Sequence, residues 1–228
     1  MMRFGALFAV CALAGIAPAV VIVDDFTDAQ GPLTVNPTNQ TAGSRVTGSM
    51  LGGSRSTGIL LYGSQYDQDS TIYINGGAFG SNQFGNASRV VLGYFATGIT
   101  VAPTQITWHV DQNTNYDFSG TPEFEFDLLG NDAALTVTVD LWKLGSGGGI
   151  RQYSKTFAAG GARTETLGLA DITSSTIDAT DVDFMWIYFD GPANIDFGID
   201  QITAVPEPGT MAALGLGLAA IARRRRQK

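Results

Sequence analysis

The chain has 228 residues, enough for one sizeable domain, and 29 glycines with only 15% charged residues point away from a helical protein and toward a turn-rich β protein. Its formal net charge is −8, and residues 20–204 carry 20 acidic against 7 basic residues, which argues against nucleic-acid binding or docking on anionic lipid. One cysteine, Cys11, and one histidine, His109, exclude a disulfide framework, a Cys-based metal site and a His–His metal site, and they argue against a Ser-His-Asp triad.

At the N-terminus Arg3 precedes an apolar run from Phe4 to Ile16, and Ala17-Pro18-Ala19 supplies an A-x-A cleavage site. These are the three parts of a secretory signal peptide, so residues 1–19 are expected to leave and Val20 to open a mature chain delivered by the secretion translocon. Cys11 departs with that segment, leaving no thiolate nucleophile.

The body, residues 20–204, is dominated by period-2 patterning. Strands are predicted at 20–26, 44–51, 57–63, 70–75 and 87–95, then from Ile106, Trp108 and Val110 alternating with Thr107 and His109. Phe124, Phe126 and Leu128 alternate with Glu123, Glu125 and Asp127, and Leu135, Val137, Val139 and Leu141 with Thr136, Thr138, Asp140 and Trp142. Further strands are predicted at 150–157, 163–168, 182–190 and 195–203. Gly52-Gly53, Gly76-Gly77, Gly130-Asn131-Asp132 and Gly145 to Gly149 mark turns between them. About a dozen short strands without an amphipathic helix predict an all-β fold, one antiparallel β-sandwich.

Candidate sites follow from this layout. Glu123 and Glu125 share a strand face with backbones about 7 Å apart, a spacing that suits paired carboxylates in glycoside hydrolysis and equally the wet face of a strand. Asp24, Asp25 and Asp200 would meet if the first and last strands pair, giving oxygen ligands for a structural calcium; no other cofactor is expected. In 182–190, Met185, Ile187 and Phe189 are placed on the core face and Trp186 and Tyr188 opposite. With Trp142 and Tyr73 those two form either an aromatic platform for sugar rings or part of a strand buried on both faces. Gly145 to Arg151 lacks a following Lys-Ser/Thr, so it is a hairpin loop and not a phosphate cradle.

The tail, 205–228, differs from everything before it. Met211 to Ala222 is an apolar run about 18 Å long as a helix, short for a bilayer core of about 30 Å. Arg223, Arg224, Arg225 and Arg226 then form a stop-transfer cluster that places the C-terminus inside and residues 20–204 outside the cytoplasmic membrane. Pro206 and Pro208 bias Val205 and Glu207 to an extended backbone, which exposes peptide bonds to a processing enzyme.

Val205-Pro206-Glu207-Pro208-Gly209-Thr210, then a short Gly/Leu/Ala helix, then the arginine cluster, resembles the PEP-CTERM sorting signal of Gram-negative bacteria. The resemblance implies recognition by exosortase, a membrane protease or transpeptidase, and removal of the tail. It also implies an exported surface protein of a cell that makes exopolysaccharide. The ends of the body, Val23-Asp24-Asp25-Phe26 at its start and Val182 to Asp190, Gly191-Pro192 and Asp196-Phe197-Gly198-Ile199-Asp200-Gln201-Ile202 at its close, resemble the jelly-roll domains of carbohydrate-binding modules. That second resemblance implies paired terminal strands with a structural calcium often nearby. The expected organisation is a signal peptide (1–19), a jelly-roll ectodomain (20–204) and a sorting signal with a short transmembrane helix (205–228). The expected function is a non-enzymatic surface or matrix protein, the alternative a secreted polysaccharide-active enzyme using the acids on the same sandwich.

Overall fold

The computed structural model describes residues 20–61, 69–83, 88–96, 116–118 and 122–206. The signal peptide, the strand expected at 106–110 with His109, and the tail from Glu207 onward, including Pro208, Gly209, Thr210 and Arg223 to Arg226, lie outside the described residues.

In chain order the strands are β1 (Val21–Asp24), β2 (Gln30–Val35), β3 (Thr41–Thr47), β4 (Gly53–Leu61), β5 (Ser70–Asn75), β6 (Ala78–Gln83) and β7 (Ser88–Ala96). They continue as β8 (Pro122–Asn131), β9 (Leu135–Lys143), β10 (Gly149–Phe157), β11 (Arg163–Leu167), β12 (Ile172–Ser175), β13 (Phe184–Asp190) and β14 (Asp196–Pro206). One sheet has the order β11-β8-β14-β6-β5-β2, with β1 also paired to β14, and the other runs β12-β10-β9-β13-β7-β4-β3. All the pairings are antiparallel. The two sheets form a sandwich, as the alternation predicts, and the first and last strands do pair, Val21 opposite Ala204.

The core lies between the sheets. Phe124, Phe126 and Leu128 of β8 and Ile199, Ile202 and Ala204 of β14 face Leu135, Val137, Val139 and Leu141 of β9 and Met185, Ile187 and Phe189 of β13. Aromatic contacts cross the gap: Phe79 meets Phe189 with centroids 5.5 Å apart, and Phe124 stands edge-on to Tyr153 at 5.4 Å. Such pairs add about 0.5–1.5 kcal/mol to the burial of the rings themselves.

Two bulges break the period of 2 where it matters. On β14 the pairing to β8 shifts between Ile199 and Gln201, so Ile199 and Ile202 are both buried and Asp200 is exposed. On β1 the register shifts between Ile22 and Asp24, so Val23 and Asp24 are both buried although alternation would separate them.

Three strands escaped the periodicity: β2, β6 and β12. β2 contains Gly31-Pro32, tolerated because β2 is the edge of its sheet, where proline forfeits no ladder bond on its open side. β6 has one large apolar residue, Phe79, beside Gly80, and a Cβ at Gly80 would stand 2.4 Å from Cζ of Tyr73. The strand expected at 44–51 ends at Thr47; Met50 and Leu51 are buried from a turn in which the Leu51 amide donates to the Val23 carbonyl at 2.8 Å. Gly52, with φ of +77°, takes a backbone conformation that side chains disfavour, and the next strand starts at Gly53, earlier than the expected 57.

Candidate functional site

Three constellations stand out, and the first is internal. Arg55 of β4 is fully buried and Asp24 of β1 is 1% exposed, with Arg55 Nη1 donating to Asp24 Oδ2 at 2.6 Å. The other guanidinium nitrogens are also satisfied, Nε by Gln30 Oε1 at 3.0 Å and Nη2 by the Asp28 carbonyl at 2.6 Å. Gln30 accepts in turn from Thr57 Oγ1 and donates to Ser44 Oγ, while the Phe26 amide donates to Asp24 Oδ1. Burial pushes the Asp24 carboxyl above its ordinary value against the opposing pull of Arg55, and burial with the Asp24 charge pushes the Tyr94 hydroxyl well above its own. A pair so enclosed ties β1 and β2 of one sheet to β3 and β4 of the other. It has no opening to a ligand, so its role is to hold the fold together. Sequence reasoning missed it; the signal was a lone arginine among Gly53, Ser54, Ser56, Thr57 and Gly58, ahead of the apolar Ile59-Leu60-Leu61.

The second constellation is the outer face of the β13 sheet. Trp186 and Tyr188 do lie opposite the core face, as predicted, and Trp142 joins them across β9. Trp142 stacks on Phe184 at 5.8 Å and 10°, Trp186 stands edge-on to Phe95 at 5.0 Å, and Trp186 stacks on Tyr188 at 6.5 Å. The Arg89 guanidinium caps the Tyr188 ring at 5.3 Å while Nε donates to Asp190 Oδ1 at 2.7 Å. Trp186 is only 8% exposed, so the strand is largely buried on both faces, whereas Trp142 and Tyr188 are half-buried.

Beside this aromatic column, β9 and β10 present a polar ladder on the same face. Thr136 meets Thr156 at 2.9 Å, Thr138 meets Ser154 at 3.0 Å, and Gln152 Nε2 donates to Asp140 Oδ1 at 2.9 Å. Thr173 of β12 extends the ladder by donating to Gln152 Oε1 at 2.8 Å. Burial raises the Asp140 carboxyl, outweighing the Gln152 hydrogen bond and the Arg89 charge. Tyr73 is not part of this surface: it is 50% exposed on β5, in the other sheet.

The remaining predicted residues are dispersed. Asp24 is held by Arg55, Asp25 Oδ1 accepts from the Thr27 amide and hydroxyl, and Asp200 is exposed at the β14 bulge. Among the described residues no group of three His, Cys, Asp or Glu side chains is placed to hold a metal ion. Glu123 and Glu125 are half-buried on β8, opposite Val205 and Thr203 of β14.

The third constellation is the end of the sandwich where β1 begins and β14 ends. Val21 pairs with Ala204 and Ile22 with Thr203, while Val205 and Pro206 continue β14 against Glu123 and Pro122 of β8. Strand and tail are therefore contiguous: the class of protein defined here is an all-β sandwich whose final central strand runs straight into a C-terminal signal segment. Residues 204–226 match the family model described as PEP-CTERM protein-sorting motif, and the chain carries that motif.

No curated protein matches the chain. Among solved structures it is similar to a family 11 carbohydrate-binding module from Clostridium thermocellum in complex with a mixed-linked tetrasaccharide, at 13% identity, TM-score 0.39, covering 82% of this chain and 95% of that one. It is similar to a family 29 module variant complexed with mannohexaose at 12% identity, TM-score 0.40, covering 82% and 90%. A family 11 module studied in solution matches at 15% identity, TM-score 0.42, covering 85% and 98%.

Proposed function

We propose that this protein is exported, sorted through residues 204–226 by an exosortase-type membrane enzyme, and acts outside the cell as a non-catalytic binding module. The observation that carries the sorting reading is the complete motif, which begins at Ala204 within the last strand. The anchor run and Arg223 to Arg226 hold the precursor in the cytoplasmic membrane, and Glu207, between two prolines, supplies a charged contact on a rigid backbone. Glu207→Ala is expected to leave export and membrane insertion intact while full-length precursor accumulates. Replacing Arg223 to Arg226 by Ser weakens stop-transfer and lets precursor slip outward. Processing of Glu207→Ala at the normal rate would overturn this reading.

For the ectodomain, the aromatic column beside the polar ladder supports binding of a polysaccharide strand, such as an exopolysaccharide, across β9, β10 and β13. Sugar rings offer apolar faces for Trp142 and Tyr188 and hydroxyls for the Thr, Ser and Gln side chains alongside. Affinity electrophoresis of the protein against a panel of neutral and acidic polysaccharides tests this. Retardation that disappears in Trp142→Ala with Tyr188→Ala supports it, and uniform mobility across the panel rejects it.

A further inference from the structure

The sandwich and the sorting motif overlap. The motif match begins at Ala204, yet β14 extends through Pro206, two residues past the domain boundary expected at 204. Ala204 is 4% exposed and has partners on both sides, Val21 on β1 and Phe124 on β8. Val205 and Pro206 are paired to Glu123 and Pro122. A protease or transpeptidase binds its substrate as an extended strand whose free N–H and C=O groups pair with the enzyme. At Ala204 both edges of the backbone are already used, and at Val205 and Pro206 one edge is.

We propose that the tail is severed only on the C-terminal side of Pro206, and that the folded sandwich itself sets this limit. This rests on the sorting reading above and adds where the cut can fall. Reaching a bond at or before Val205 would require stripping the end of β14 from β8 and β1 and exposing Ala204. In the cut, the peptide bond breaks; the acyl carbonyl takes the hydroxyl of water, or the nitrogen of an attacking amine, and the released tail keeps the proton on its new amino group. The first three residues of the motif then stay with the mature protein as part of its sheet.

The end of the chain that leads to the cut is also the end where Val20 emerges, because Val21 lies opposite Ala204. With β1 docked, β14 is flanked on two sides as far as Ala204, so β1 belongs to the barrier. Substituting proline for Val21, an exposed position opposite Ala204, fixes the β1 backbone at that pairing without deleting core.

The test uses the full chain in cells that process it. Intact mass and C-terminal peptide mapping of the mature protein should find Ala204, Val205 and Pro206 retained. A C-terminus at or before Val205 overturns the proposal and leaves the sorting reading standing. A tail that persists through residue 228 overturns both. On the unprocessed precursor, hydrogen exchange at Ala204 should be as slow as at Ile202, and in Val21→Pro it should accelerate at least tenfold. Fast exchange at Ala204 in the unsubstituted precursor overturns the barrier whatever the position of the cut.

Discussion

The indole of Trp186 occupies the space that a side chain at position 93 would need: a Cβ built on Gly93 would stand 2.4 Å from Cζ3 of Trp186 and 2.7 Å from Cε2 of Phe95. Gly93 sits directly opposite Trp186 in the β7–β13 pairing, so the ring lies across a bare patch of backbone. Gly93→Ala is expected to displace the ring and to cost about 1–3 kcal/mol, the usual penalty of overpacking. Urea unfolding followed by tryptophan fluorescence reads both effects. In a Trp186→Ala background the cost of Gly93→Ala should shrink, since of the three close contacts only the one to Phe95 Cε2 remains. An unchanged cost would mean that the Trp186 ring is not what requires the glycine.

The Asp24–Arg55 pair gives a second prediction. Arg55→Met leaves a buried carboxylate with only the Phe26 amide and the Tyr94 side chain near it, and is expected to cost about 3–5 kcal/mol. The double change Asp24→Leu with Arg55→Met removes both charges and should recover much of that loss, because apolar groups of similar volume often replace a buried pair at little cost. Chemical denaturation of the three variants checks it. A double variant as unstable as Arg55→Met alone would show that Gln30 and the Asp28 carbonyl, also bound by Arg55, carry most of the effect.

Asp140 predicts a pH dependence. Burial raises its carboxyl above the ordinary value of 3.8, so over the window between that value and the raised one the folded protein keeps a proton that the unfolded chain has released. The stability contributed by this site is therefore greatest in acid and falls as pH rises through the raised value. Asp140→Asn, neutral throughout, should flatten that part of the curve and be at least as stable as the parent near neutral pH. Melting midpoints collected from about pH 4 to pH 7 decide it, and a slope that survives the substitution would assign it to another group.

Asp200 provides a contrast within the same pair of strands. It projects from a bulge into solvent, so Asp200→Ala should change stability by no more than about 0.5 kcal/mol. Asp24→Ala should cost several times as much, since it strands a buried guanidinium. Thermal melts of the two variants, with and without millimolar calcium, also show whether either acid answers to a cation.

These two aspartates illustrate what the sequence could and could not disclose. Strict alternation in Phe184–Asp190 and Leu135–Lys143 was enough to place Met185, Ile187 and Phe189 inside and Trp186, Tyr188 and Trp142 on the other face. Alternation fails wherever one residue is inserted into a ladder, and nothing in Val23-Asp24 or Ile199-Asp200-Gln201 announces a bulge. An inserted residue in each strand leaves Asp24 turned inward to Arg55 and Asp200 outside, separating acids that a regular pairing would have gathered. The sorting motif was readable because it is a local signal whose meaning depends on order along the chain. The internal network was not, because it joins residues 24, 28, 30, 44, 55 and 57 through space.

Any pull that arrives through the tail enters the domain at Pro206, along the axis of β14. That strand is gripped along one edge by β8 from Asn131 to Pro122, and along the other by β6 at Asp196 to Ile199 and by β1 at Ile202 to Ala204. Tension directed along a strand held on both edges loads its pairs together, in shear, instead of peeling them off singly. A domain suspended from this strand meets traction as a riveted seam does, with the strain shared among neighbouring bonds before any one of them yields.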